Sequence, residues 1–410
     1  MKIVKVVLIN VALIAIVLIA AEGVARLLEE PNVSTVPVVG PDPELGWAPL
    51  PNVQSTHKSH EFAVEVHTNE LGLYSDPIDE MGERSRIRIL ALGDSHTAAS
   101  GVSTDEAWPN VLERLLGERG WADATVYNAG VGAYSLDQYL TRFRKLADRL
   151  WPHVVIIGFS TATDFYDVGR LPSGGFVYGA DVGRIYYELD ASNSLIERGD
   201  LAGTSLSLSN GSTASTSLRV RGWLQRLALY RHLKRSQVAF WIAARWRPGG
   251  ESLWPGLDTA LKTSLDEEDR RRLVLAEKLI GRIADEAQSI GAVPVLLHIP
   301  YLAQVYDSVW SASFGGLPDR YDRDLPSERL AAIAQRYNLV FVDSYPQLRD
   351  EARARDKWLH HRIDGHPTHE GQEIIARVVM EAVTNLKIDP GRQTLDSSAA
   401  LPIGAASDIP

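Results

Sequence analysis

A chain of 410 residues with 42 Lys and Arg against 52 Asp and Glu carries a formal charge of −10. No basic stripe offsets that acidic balance, which argues against nucleic acid as a partner. With 45% hydrophobic and 23% charged residues it has ordinary globular usage, enough for one large core or two modest ones. Cysteine is absent, so a disulfide framework, a thiolate metal site and a cysteine nucleophile are excluded.

Residues 1–30 read as a signal anchor. The run 6–21 is apolar apart from Asn10, with Lys2 and Lys5 before it and Glu22, Glu29 and Glu30 after it. Roughly 17 to 20 apolar residues span a bilayer, and basic flanks stay on the cytoplasmic side. The expectation is therefore an uncleaved transmembrane helix with the rest of the chain exported, periplasmic or extracellular. A cleaved signal peptide is the alternative, although no small-x-small site ends the run. Residues 31–83 form a lead-in, Pro-rich to Pro51 and then alternating polar and apolar over 62–68, which predicts a short hairpin edge.

From 84 to about 390 the chain alternates strand and helix. Short apolar runs predict strands at 87–92, 125–128, 154–159, 293–299 and 339–342, and helical periodicity predicts helices near 108–116, 136–150, 265–290, 327–336 and 368–386. Uniformly apolar strands joined by helical crossovers make an α/β fold, an open parallel sheet of about five strands covered on both faces. In the last helix Ile374, Ile375, Val378, Val379, Ala382, Val383 and Leu386 recur at helical spacing as its core face. The alternation breaks at about 165–265, an insertion with a Gly/Ser-rich loop at 201–216 and a Trp- and Arg-rich helical stretch at 218–247. Leaving the carboxyl end of a strand, it is placed to cap a site. Trp223, Trp241, Trp246 and Trp254 would then stack on sugar rings, fill a satellite core, or belong to a face lying on the membrane. Residues 391–410 read as a disordered tail.

The chemistry concentrates in two segments. Gly93-Asp94-Ser95-His96-Thr97 directly follows the first core strand, and Asp364-Gly365-His366-Pro367 precedes the last helix. A serine is a weak nucleophile until an imidazole takes its proton and a carboxylate holds that imidazole in the right tautomer. Together the segments contain all three groups. At these residues the chain resembles the SGNH (GDSL-like) hydrolases, whose first motif is Gly-Asp-Ser and whose last places Asp just before a catalytic His. Gly46-Trp47 and residues 69–73 also resemble the preamble of its membrane-anchored members. The resemblance implies a flavodoxin-like sheet, Ser95 as nucleophile, His366 as base, Asp364 as its orienting acid, and no cofactor or metal.

It also implies an oxyanion hole made by a backbone N–H of the second motif and an Asn side chain of the third. The second motif here is Asn128 to Tyr134, which puts Ala133 where the family has glycine and leaves Gly132 as the alternative. In the third, Thr163 stands where Asn is expected, beside Asp164. The expected hole is thus the Ser95 N–H with Ala133 or Gly132, and the Thr163 hydroxyl as a weak helper. Two rivals accompany this reading. Gly158-Phe159-Ser160-Thr161-Ala162 approximates the nucleophile elbow of α/β hydrolases, with Ser160 as nucleophile. His361, Asp364, His366 and His369 crowd together as candidate metal ligands. His96 is expected to line the site. The resulting expectation is an esterase acting on ester-linked acyl groups, such as O-acetyl on a cell-envelope glycan. The alternatives are an O-acyltransferase using the same triad, or a degenerate module that binds glycan without turnover.

Overall fold

The computed structural model describes residues 2–28, 33–78, 87–169, 184–199, 259–315, 317, 319–355 and 357–388. The core is a five-stranded parallel sheet of β6 (Ile87–Gly93), β7 (Ala124–Asn128), β8 (Val154–Ser160), β11 (Val293–Ile299) and β12 (Val340–Asp343), in the order β12-β11-β8-β6-β7. Numbered along the sheet's own chain order this is the flavodoxin-like arrangement 2-1-3-4-5 read from the other edge. Each strand falls within two residues of its predicted bounds.

Burial on both faces explains why the central strands are mainly apolar. Side chains alternate across a strand. Leu90, Leu92, Val155, Ile157 and Leu296 therefore pack on one side, together with helices α3 (Leu136–Leu150), α4 (Asp164–Asp167), α5 (Glu267–Ser289) and α6 (Leu325–Arg336). Ile89, Ala91, Val154, Ile156, Val295 and Leu297 pack on the other side with α2 (Trp108–Glu118), α7 (Tyr345–Arg355) and α8 (His369–Thr384). The predicted core face of α8 is confirmed at Ile374, Ile375, Val379 and Val383, which are at most 5% exposed. Helix α7 was not anticipated, because its charged sequence shows only Leu348 and Ala352 buried beyond Tyr345.

The lead-in contains more structure than its sequence advertises. β1 (Val33–Ser34), β4 (Gln54–Lys58) and β5 (Ala63–His67) form an antiparallel sheet, while β2 (Val39–Asp42) pairs with β3 (Gly46–Pro49). The described part of the insertion is a hairpin, β9 (Ile185–Leu189) with β10 (Leu195–Gly199), held to α3 by the Arg184–Asp137 ion pair and by Arg144 on Glu197 at 3.0 Å. The Gly/Ser loop, the Trp-rich stretch with its four tryptophans, and the tail lie outside the described residues.

The amino-terminal segment is a helix, α1 (Lys2–Leu28). Counted over the described residues alone, no helix is long and apolar enough to cross a membrane. The side chains at 2–9, 11, 12 and 15 lie outside that description.

Candidate active site

Where neighbouring strands leave in opposite directions along a sheet, their carboxyl ends open a crevice. Here that point lies between β6 and β8, since the chain passes from β6 to β7 on one side and then back to β8 on the other. Ser95 lies two residues beyond the end of β6. Its turn is closed by Asp94, whose carbonyl accepts the Thr97 N–H at 3.2 Å and the Ala98 N–H at 2.9 Å, and whose Oδ1 accepts the His96 N–H at 2.8 Å. The turn lies so close to its neighbours that a Cβ on Gly93 would meet Thr97 Oγ1 at 2.0 Å, and one on Gly130 would meet the Ala98 nitrogen at 2.4 Å. Both glycines are thus required by close approach rather than by dihedral freedom.

The second segment is a loop closed on itself. His361 N–H donates to the His366 carbonyl at 2.9 Å, Gly365 N–H to the His361 carbonyl at 3.0 Å, and Thr368 N–H to the Leu359 carbonyl at 2.9 Å. Gly365 at φ 91° supplies the left-handed residue that turns Asp364 and His366 toward one another. The result brings the three predicted groups together: His366 Nε2 lies 2.7 Å from Ser95 Oγ, and His366 Nδ1 is hydrogen-bonded to Asp364 Oδ1. Since a carboxylate only accepts, Nδ1 carries the proton and Nε2 is left to accept from the serine.

Burial pulls the His366 imidazole down, but the Asp364 hydrogen bond and charge, joined by the charge of Asp94, outweigh it and hold its pKa above the ordinary value. Asp364 responds in the complementary sense. Burial raises it, while the His366 hydrogen bond and charge hold it below the usual carboxylate range.

Of the expected oxyanion donors, the Ser95, Gly132 and Ala133 N–H groups have no acceptor among the described residues. Ala133 is exposed and holds φ 61°, a left-handed conformation that costs a non-glycine residue about 1 to 2 kcal/mol. Backbone strain at such a position is a feature of functional sites. Thr163 departs from expectation. Its hydroxyl donates to Asp94 Oδ2 at 2.7 Å, so its proton is committed to the residue before Ser95 and is not offered to an oxyanion.

The same buried network removes the rival serine. Ser160 is 0% exposed, its Oγ lies 3.2 Å from His96 Nδ1, and its N–H donates to Asp164 at 2.7 Å. A nucleophile without access to substrate is none. His96, 3% exposed, lies beside the triad with its ring 4.7 Å from that of His366 and Nδ1 3.3 Å from both Asp94 oxygens. Burial raises Asp94, yet the charge and hydrogen bond of His96, with the Thr163 hydroxyl, hold it low. Asp164, pushed up by burial and then by the Asp94 charge, is the member of the pair held toward its protonated form.

The crowded histidines diverge as well. His361 Nε2 donates to the Gly101 carbonyl at 3.0 Å, and exposed His369 lies 3.6 Å from Glu106. Among the described residues the His and carboxylate grouping with ligand atoms mutually within 4.8 Å is a different set, His67, Asp76 and Asp105.

Two contacts were invisible in the sequence. Trp47 of the lead-in donates its Nε1–H to the Gly132 carbonyl at 3.2 Å, and Glu61 reaches the Asp364 loop. Both join residues far apart along the chain, and no local pattern marks such a partner.

No family model and no curated protein matches this chain. Solved structures do, at low identity. TesA aligns at 14% identity over 72% of this chain and 97% of that one, TM-score 0.36. The psychrotrophic esterase EstA from Pseudoalteromonas sp., inhibited by monoethylphosphonate, aligns at 13% over 72% and 96%, TM-score 0.35. A member of the lipolytic protein G-D-S-L family from Veillonella parvula aligns at 11% over 73% and 100%, TM-score 0.37. These likenesses are distant, and the chemistry below rests on the geometry of Ser95, His366 and Asp364.

Proposed function

We propose that this protein is a serine hydrolase of esters. The observation that carries the reading is the unbroken chain from Ser95 Oγ through His366 to Asp364 at the crevice between β6 and β8. In the proposed cycle His366 Nε2 takes the Ser95 proton as Oγ attacks the ester carbonyl. The oxyanion is held by the Ser95 N–H and that of Ala133, with Gly132 as the alternative. His366 then gives its proton to the departing alcohol, leaving an acyl-serine. Water attacks the acyl carbonyl as it loses its proton to the same nitrogen, and the acid leaves as that proton passes from His366 to Ser95 Oγ.

The substrate class within this reading is a small acyl ester, such as O-acetyl on a cell-envelope glycan, met on the exported side of a membrane to which α1 anchors the chain. Its support is the basic-then-apolar order of residues 2–21 and the exposure of Leu13, Ile14, Ile16, Val17, Leu18 and Ile19 on α1. A serine-reactive fluorophosphonate tests the chemistry. Labelling should be lost in Ser95→Ala and kept in Ser160→Ala; no labelling of the unaltered protein would sink the hydrolase reading and leave a binding module.

A further inference from the structure

Three successive backbone N–H groups, those of Arg362, Ile363 and Asp364, point to one spot on the catalytic loop. Such a run forms a nest for an anion. Its occupant is the carboxylate of Glu61, in the turn between β4 and β5: Oε1 accepts from Arg362 at 2.7 Å, and Oε2 accepts from Ile363 at 2.9 Å and from Asp364 at 2.7 Å. The neighbouring Phe62 packs its ring 5.0 Å from that of His361, which is itself tied to Gly101. The turn is braced in its own right. Ser59 N–H donates to the Phe62 carbonyl at 2.8 Å, and β5 is fastened beyond the nucleophile turn through His67 N–H on Thr104 Oγ1 at 2.9 Å.

From this we infer that Glu61 is a positioning residue for the triad: by clamping the backbone at 362–364 it holds the Asp364 carboxylate against His366 Nδ1. The inference rests on the triad reading given above. A purely structural role is a poor fit, because residues 362–364 are exposed and water can satisfy their N–H groups when the carboxylate is removed. Stability then changes little. Water fixes no position, however, and misplacement of a catalytic group by about 1 Å costs on the order of 10²-fold.

Glu61→Ala should therefore lower kcat on p-nitrophenyl acetate by about 10- to 100-fold with KM little changed. The midpoint of the acid limb of kcat/KM should also move to lower pH, since His366 loses part of the Asp364 interaction that raises it. The other groups facing the pair are Asp94, His96 and His360 around His366, and His57, His361 and Tyr301 around Asp364. None of these is altered by the substitution. Glu61→Gln, which keeps one acceptor oxygen but turns an amide toward the remaining N–H, should fall between.

Parent kcat and an unmoved midpoint in Glu61→Ala would overturn the inference. So would a loss of rate in Glu61→Gln matched by lost thermal stability with the midpoint in place. Amide hydrogen exchange at residues 362–364 separates this from the triad reading. If the unaltered protein neither hydrolyses ester nor labels at Ser95, that reading fails by itself. Exchange at these amides should still quicken at least tenfold in Glu61→Ala, and unchanged exchange would remove the clamp.

Discussion

Two chains of hydroxyl, imidazole and carboxylate stand at the carboxyl edge of the same sheet. One is Ser95, His366 and Asp364. The other is Thr161, His298 and Asp343, with Thr161 Oγ1 2.7 Å from His298 Nε2 and His298 Nδ1 2.8 Å from Asp343 Oδ1. In the order of their groups they are the same object. They differ in access. The His366 and Asp364 side chains are 19% and 32% exposed, whereas Thr161 and His298 are both 0% exposed. The first chain opens into the crevice between β6 and β8, whereas the hydroxyl and imidazole of the second are sealed between β8, β11 and β12 and only its Asp343 carboxylate is partly exposed, at 19%. A proton relay is therefore not recognised by donor geometry alone. Buried hydroxyls and imidazoles must pair with something, and a triad-like chain is one way of doing so.

The sharpest way to break this comparison is to remove each hydroxyl. Ser95→Ala should abolish ester hydrolysis down to the residual rate left by binding and the oxyanion hole, a loss of about 10⁴-fold or more. Thr161→Val should keep the rate within a few-fold and instead lower unfolding stability by about 1 to 3 kcal/mol, because His298 Nε2 loses its partner inside the core. Hydrolysis that survives in Ser95→Ala and fails in Thr161→Val at unchanged stability would exchange the two assignments.

A smaller effect is expected at Thr163. Its hydroxyl serves the buried Asp94, which is 1% exposed, so Thr163→Val should cost about 1 to 3 kcal/mol in urea unfolding. A fall of about 10²- to 10³-fold in rate with stability intact would instead restore it as an oxyanion donor.

The pH dependence gives the finest discrimination. His366 must be neutral to accept the Ser95 proton, and Asp364 with Asp94 holds its pKa above the ordinary value of about 6.5. The kcat/KM profile should accordingly rise with pH through a midpoint above that value. Asp343→Asn should leave the midpoint in place, since its imidazole touches no nucleophile in the crevice. For stability the sign is reversed. A raised imidazole pKa contributes stability that is present below the unfolded value and is lost as pH rises through the folded one, so the active range lies where that contribution has gone. A midpoint that follows Asp343 would show that the buried chain, not His366, governs the rate.

Much of this was legible in residue order. The core strands were legible because a strand buried on both faces reads as a nearly continuous apolar run, as Val154 to Phe159 does. That Ser95, Asp364 and His366 come together was legible because a hydroxyl, a carboxylate and an imidazole stand at a strand end and in a short loop before the last helix. Thr163 was misjudged, because a hydroxyl's partner depends on what lies within 3 Å, and Asp94 comes from another strand end. Glu61 and Trp47 carried no local signal at all.

The amino-acid sequence by itself determined which segments become strands and helices and where polar groups interrupt them, since hydrophobic periodicity and tight-turn chemistry are properties of neighbours along the chain. Which hydroxyl meets which imidazole, which of two equivalent relays faces the crevice, and which carboxylate fills the nest at 362–364 were decided only when the sheet brought β6, β8, β11 and the lead-in turn together. Hydrogen bonds are short-range and directional. A residue becomes part of a site through contacts that its position in the chain does not encode.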